Sequence, residues 1–395
     1  MKRLIRFLRA HWRQVSLILG TAALLGLLLL FRLGSLTNGL SQTEISTVDT
    51  SSSWHTISNN PLFLPLHLVQ WAIVTVTGHH GATVSRLASV IFGVLTLASF
   101  AYILRRWYGM KTALYGMLLF ACSAWFLHVS RFAGNDVLYL WTIPTLLAMQ
   151  ILWERQSTLL VTRLAVTVGL AMLLYIPGVV WLILLSVGLQ PQMIAKGWQQ
   201  IESTRSRLIM IVLFVILLLP LVWASIRTPS LLQTWVGLPH TFDEPINVVK
   251  RLGLSVTYLF YRGPAQPALW LDRLPVLGIF GIVSFLLGVV FYVRHIAAPR
   301  TRQLLAMFAI CAVLFALQGP VTYSVLVGLV YLVVTGGIGY FLHEWLHVFP
   351  RNPLARGLGY ALLGIVIALA CLYSLRSYFI AWPHNTATQS AFVKQ

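Results

Sequence analysis

Nine acidic residues serve a chain of 395. Two of them, Glu44 and Asp49, stand together in the polar stretch LSQTEISTVDTSSSW, between two apolar regions. Three more positions put charge at the edge of an apolar run: Arg86 in SRLASVIFG, and Arg131 and Asp136 in SRFAGNDVLYL. A guanidinium binds phosphate with a fork of hydrogen bonds and stays charged at any relevant pH. A carboxylate beside it can take a proton from an attacking hydroxyl or amine. Singly, each residue equally suits a snorkelling side chain or a structural Arg–Asp pair at a helix end. As a set of alternating sign beside apolar spans, they suit a site for an anionic lipid.

What must position these residues is a membrane. The chain is 58% hydrophobic and 9% charged, whereas a soluble domain carries about 25% charged residues. The fold class expected is therefore an all-α polytopic membrane protein. The net charge of +19 sits in short clusters between apolar runs, which marks topology and an anionic leaflet rather than nucleic acid. About 20 apolar residues cross the hydrocarbon core, and runs near 15–36, 85–104, 112–129, 137–153, 158–174, 176–190, 208–226, 275–293, 303–318, 321–342 and 357–375 qualify. The run 61–77 contains Pro61, Pro65, His67 and Gln70 and reads better as a helix lying on the interface. With eleven spans, most Lys and Arg fall on the side of RRWYGMK, VRHIAAPRTR and FPRNPLAR, which the positive-inside rule makes cytoplasmic. The N-terminus then lies inside and the C-terminus outside. MKRLIRFLRAHWRQ with the run after it reads as an uncleaved first span, because the run is too long for a signal peptide and no small-residue cleavage site follows.

On this topology the outer face carries the 37–84 loop, the SRFAGND turn, the 227–274 segment, LQGPVTY and the tail from Arg376. No repeat of 20–50 residues and no separate soluble domain stands out, so residues 1–395 read as one transmembrane domain. Cys122, Cys311 and Cys371 lie unpaired within apolar runs and read as packing residues.

The order of these motifs resembles the GT-C superfamily of membrane glycosyltransferases. It is closest in kind to glycosyltransferase family 39, the branch of protein O-mannosyltransferases and the lipid A aminoarabinose transferase. That family carries an acidic pair in its first outer loop, then a Pro-containing helix entry resembled by NNPLFLPLHLVQW. An Arg-led span like SRLASVIFGVLTL follows, and then an Arg with an Asp five residues on, as in SRFAGNDV. LFYRGPAQPALWLDRLPVLGIFG resembles its late outer loop. The resemblance implies a GT-C-like fold and inverting transfer of a sugar from a polyprenyl-phosphate donor to an acceptor outside a bacterial inner membrane. The acceptor, whether lipid, glycan or protein, stays open. By the same resemblance Glu44 is the acceptor-activating base, with Asp49 and Asp136 as further catalytic carboxylates. Arg86, Arg131, Arg262 and Tyr323 bind the lipid phosphate. The family's leading Asp is Thr43 here, which puts one carboxylate of the pair in doubt.

Other readings compete. HEWLH, from His343 to His347, matches the zinc-protease pattern, yet no third ligand stands near it, and histidines solvating a helix end explain it better. His79 and His80 could hold a metal with Glu44 or Asp136. Some GT-C relatives use a divalent ion and others do not, so the cofactor stays unassigned. Trp54, Trp235 and Trp270 on outer segments suit contact with sugar. A transporter or flippase of a lipid-linked sugar would place polar groups nearer mid-membrane and often shows repeats. An inactive relative is the third reading, raised by Thr43.

Overall fold

Helices stand where the apolar runs lie. The computed structural model describes residues 20, 23–37, 39–79, 81–154, 160–201 and 203–393. The basic end of the first expected span, His80 and Glu202 lie outside them. Residues 23–30 are helical. Three short helices follow in the first loop: α1 (Gln42–Thr50), α2 (Trp54–Asn59) and α3 (Leu64–Thr77). At 1.5 Å per residue, α3 is about 21 Å long, short of the roughly 30 Å hydrocarbon core, which suits the interfacial position expected for 61–77.

Next comes α4 (Ala82–Ala121), broken at Gly109 with φ 79° and ψ 171°. Past the break the chain turns back on itself. Arg86 and Ala133 share Glu44, Gly93 lies against Ser130, and Phe100 stacks on Phe120 with centroids 4.4 Å apart. Each pair is an antiparallel match, so the expected spans 85–104 and 112–129 are the arms of one hairpin. Its return arm continues through α5 (Ala124–Ser130) to α6 (Asp136–Glu154).

The rest of the bundle comprises α7 (Leu160–Leu173), α8 (Val179–Leu189), α9 (Pro191–Gln199), α10 (Thr204–Arg227), α11 (Pro229–Trp235) and α12 (Pro245–Phe260). After them come α13 (Ile279–Arg294), α14 (Pro299–Ala316), α15 (Ser324–Val348) and α16 (Pro353–Arg376). By length and composition, six helices among the described residues can cross a membrane, or seven if the 82° bent pair α8–α9 is one span. The count of eleven is therefore not reached on that measure: α4 counts once though it holds two expected spans, the first expected span is described only in part, and α7, α8 and α13 are apolar but short.

Helix α15 is the spine. Its apolar window is 83% buried, against 17% for α10, so the one packs on protein and the other presents Ile211, Val215, Leu219 and Trp223 outward. Lipid tails offer no hydrophobic gain for helix association, so close packing of small residues must supply it. A Cβ on Gly337 would fall 1.8 Å from the Ser284 carbonyl oxygen, and one on Gly288 2.0 Å from that of Val333. These glycines let the α13 and α15 backbones touch. The tail then returns to the first loop: Leu40–Ser41 pairs antiparallel with Phe392–Val393.

Gly337→Val should force α13 off α15 and lower the thermal midpoint in detergent by several degrees, overpacking commonly costing about 1–3 kcal/mol. Gly357→Ala, in α16 with open space around it, should leave the midpoint unchanged. Equal midpoints for the two variants would remove the glycine contact from the account of stability.

Candidate active site

Glu44 is placed first by its own helix. Ser41 caps α1, its Oγ accepting from the Glu44 N–H, while Glu44 Oε2 accepts from the Ser41 N–H at 3.0 Å. This reciprocal capping box uses the Ser-x-x-Glu spacing. The spacing is visible in the sequence as Ser41–Gln42–Thr43–Glu44, the available signal that Glu44 has a structural duty.

Arg86 then closes on it from α4. Arg86 Nε donates to Glu44 Oε1 at 2.7 Å and Nη2 to Oε2 at 2.9 Å, a side-on two-point pair. The same guanidinium donates to the carbonyls of Leu33 and Gly39 and to Thr37 Oγ1. Gly39 turns its carbonyl inward with φ 120°, a backbone setting that favours glycine. Glu44 Oε1 also accepts from the Ala133 N–H at 3.0 Å. Four donors thus serve the Glu44 carboxylate, which is 0% exposed, with Arg86 at 3%. Phe392 from the tail lies 5.9 Å beneath the guanidinium.

Arg131 joins the same knot. Its Nη1 and Nη2 donate to the carbonyls of Leu28 and Phe31, and its plane lies over Tyr378 and Phe379. Its Nε has no partner among the described residues. Burial and the neighbouring Arg86 both hold the Arg131 pKa below its ordinary value, burial being the larger cause.

Asp136 forms a second cluster. Its Oδ1 accepts from Ser324 Oγ, which also receives the Trp125 indole N–H. Trp125 packs on Trp270 and Tyr323, and the Tyr323 hydroxyl donates to the Ser255 carbonyl. Asn135 Oδ1, Tyr139 OH and Thr322 Oγ1 are buried here without partners among the described residues. Buried polar groups are nearly always bonded to protein, water or a ligand, so this cluster has capacity for a polar guest.

The remaining predicted residues stand apart. Asp49 and Thr43 are exposed on α1, and Arg262 is exposed after α12. Trp54 is 56% exposed and tilts against Trp71, and Trp235 donates to the Leu174 carbonyl, whereas Trp270 belongs to the Asp136 cluster and donates to the Leu274 carbonyl. His79 is exposed. His343 and His347 stack at the far end of α15, and among the described residues no three His, Cys, Asp or Glu gather as a metal group.

One relay escaped the sequence reading. Gln70 Nε2 donates to the Ser85 carbonyl, which fixes its Oε1 towards Ser51. Ser51 Oγ lies 2.6 Å from both Gln70 Oε1 and His67 Nδ1 and 3.0 Å from the Thr47 carbonyl, and its single proton serves one of these three. His67 and Gln70 read as mere interruptions of an apolar run, yet they lock α3 to α1 and to the residue before Arg86.

The comparisons bear on this geometry. Residues 61–224 match the family model described as dolichyl-phosphate-mannose-protein mannosyltransferase, a stretch that includes Arg86, Arg131 and Asp136 but not Glu44. No curated protein sequence matches the chain. Among solved structures, ArnT from Cupriavidus metallidurans in the apo state is 12% identical, with a TM-score of 0.54 over 97% of this chain and 77% of that one. The same protein bound to undecaprenyl phosphate is 13% identical, with a TM-score of 0.55 over 95% and 77%. At such identities the likeness shows the fold, and it is a GT-C fold.

Two predictions follow from the geometry. Arg86→Gln leaves a buried carboxylate without its counter-charge, which typically costs about 3–5 kcal/mol. Its thermal midpoint should therefore fall well below that of the double variant Arg86→Gln with Glu44→Gln. Equal losses would mean the pair is not the source. For His67, burial lowers the pKa from 6.5 to about 4, opposed by the Gln70 bond. The unfolded chain then binds the proton more readily, so the stability is complete above about pH 6.5 and declines as pH falls towards 4. That difference is about 3 kcal/mol. Midpoints measured at pH 7.5 and 4.5 should diverge for the wild type and converge for His67→Gln.

Proposed function

We propose that this chain, a membrane protein of GT-C glycosyltransferase fold, moves a sugar from a polyprenyl-phosphate donor to an acceptor at the end of the bundle that holds Glu44 and Arg86. The observation that carries the reading is the buried side-on pair of those residues, braced by the turn that leads into Asp136. It draws the acidic loop, the α4 arginine and the α5–α6 turn into one surface. In this reading residues 1–395 work as one unit, with the catalytic surface made from 37–84 and 227–274. The site faces the outside of a bacterial inner membrane, with the N-terminus in the cytoplasm, since the basic clusters then stay inside.

The reaction is a single displacement. The acceptor oxygen or nitrogen attacks the anomeric carbon as its proton passes to a carboxylate. The bond from that carbon to the phosphate oxygen breaks, polyprenyl phosphate leaves with the electron pair, and the sugar inverts. Arginine neutralises the departing phosphate, so no protein acid is needed there.

Glu44 and Arg86 serve as base and phosphate ligand only when their pair opens, because every carboxylate oxygen and all three guanidinium nitrogens are engaged. While it is closed, the tasks fall to groups with capacity to spare. Asp136, with Ser324 donating to its Oδ1 and Thr322 beside it, takes the proton. Arg131 through Nε, with Arg262, meets the phosphate. Asn135, Tyr139 and Thr322 bond the sugar hydroxyls, and Tyr323 holds the wall. Asp49 lies at the rim on the acceptor side.

Transfer from radiolabelled polyprenyl-phosphate sugars in membranes tests this. General-base removal commonly lowers rate about 10²–10⁴-fold, so Asp136→Asn should lose at least a hundredfold in kcat with donor KM little changed. Glu44→Gln should lose stability and activity together. A folded Glu44→Gln that is dead beside a fully active Asp136→Asn would return the base to Glu44. If the wild type moves no sugar from any donor, the transferase reading falls.

A further inference from the structure

The bundle has a second chemical surface at its other end. Twenty residues of α4 separate Arg86 from Arg106, which at 1.5 Å per residue is about 30 Å, the thickness of the hydrocarbon core. There a cavity of about 810 Å³ opens, lined among others by Arg106, Gln150, Glu154, Gln190, Arg300 and Gln303. Beside it an apolar groove of about 330 Å³ is lined by Leu146, Met149, Leu170, Ile183 and Phe214. Both volumes are in the range of small-molecule sites, about 300–1,000 Å³. Gln150 and Met193 line both spaces, so the two adjoin.

The charge and hydrogen bonding of the cavity ask for an anion. Two guanidiniums face one carboxylate, and neither Arg106 nor Arg300 makes a side-chain hydrogen bond among the described residues. Each plane instead rests against a ring, Arg106 over Tyr102 and Arg300 over Trp107, both at 5.7 Å. A chain of amides runs inward: Gln190 Nε2 donates to Gln303 Oε1, and Gln303 Nε2 to Gln150 Oε1. It ends on Gln150 Nε2, a buried donor without an acceptor among the described residues. That unfilled donor sits where polar cavity meets apolar groove. The groove runs along α6 from Trp153 back to Leu146, towards the middle of the membrane, as a chain hanging from a head at the interface would.

We propose that this end binds an anionic phospholipid, its phosphate between Arg106 and Arg300 and within reach of Gln150, and one chain in the groove. The site is separate from the Glu44 cluster and does not depend on the transfer reaction.

Native mass spectrometry of the detergent-purified protein, titrated with phosphatidylglycerol, phosphatidylcholine or inorganic phosphate, tests it. The wild type should retain phosphatidylglycerol over phosphatidylcholine and bind phosphate alone at least tenfold more weakly. Arg106→Gln with Arg300→Gln should weaken phosphatidylglycerol at least tenfold, and so should Ile183→Trp, which fills the groove. Arg302→Gln, an exposed neighbour that does not line the cavity, should bind as the wild type does. Equal retention of the two lipids, or binding unmoved by both the arginine and the groove variants, would overturn the proposal. Phosphate bound as tightly as the lipid would also overturn it, since the groove would then add nothing. Variants that misfold would show as a lowered midpoint, and the groove variant with Arg302→Gln keeps the comparison decisive.

Discussion

A carboxylate and a guanidinium removed from water together can be held only if nearly every lone pair and proton finds a partner. The Glu44–Arg86 pair meets that condition, and in doing so it dictates the surrounding backbone. The loop from Leu33 to Gly39 must turn its carbonyls inward, α1 must begin at Ser41, and the turn after Arg131 must present the Ala133 amide. Three stretches distant in sequence, residues 33–44, Arg86 and Ala133, therefore share one geometry. A fault in any of them would be felt as an unpaired buried charge. The knot is a frame, and the groups with spare bonding capacity lie around it.

The two ends of the bundle divide the chemistry. At one, aromatic rings and orphan hydroxyls surround Asp136. At the other, arginines lie flat against rings over a chain of amides. Helix α15 joins them: Ser324 touches Asp136 at one end, while at the other Tyr340 receives a hydrogen bond from Arg294. Its glycines let α13 press close, so the ends are set by a stiff core rather than by loops.

Much of this was legible. Composition fixed the class, and the apolar runs marked the helices, because burial in lipid leaves little choice of pattern. Sign alternation at helix ends singles out Glu44, Asp49, Arg86, Arg131 and Asp136; of these Glu44, Arg86 and Arg131 converge, Asp136 forms a neighbouring cluster and Asp49 stands exposed apart. Their mutual saturation was not legible. A sequence shows that opposite charges exist but not that backbone carbonyls from Leu28 to Gly39 will absorb the remaining donors. His67 and Gln70 were passed over for a similar reason: a polar residue in an apolar run signals a partner without naming it. Helix length alone does not reach the expected span count, since α4 is one helix across two expected spans and α7, α8 and α13 are short.

The two-residue ribbon between Leu40–Ser41 and Phe392–Val393 has a consequence for the order of assembly. Phe392 supplies the ring under Arg86, and it leaves the ribosome about 300 residues after that arginine. At about 5–20 residues per second this is on the order of 15–60 s. Throughout that interval the loop that holds Glu44 stands unroofed, with its ion pair open to water on the side the tail will cover. That loop is thus among the last parts to be completed, and a nascent chain stalled between the end of α16 and residue 392 has these helices but not its finished frame.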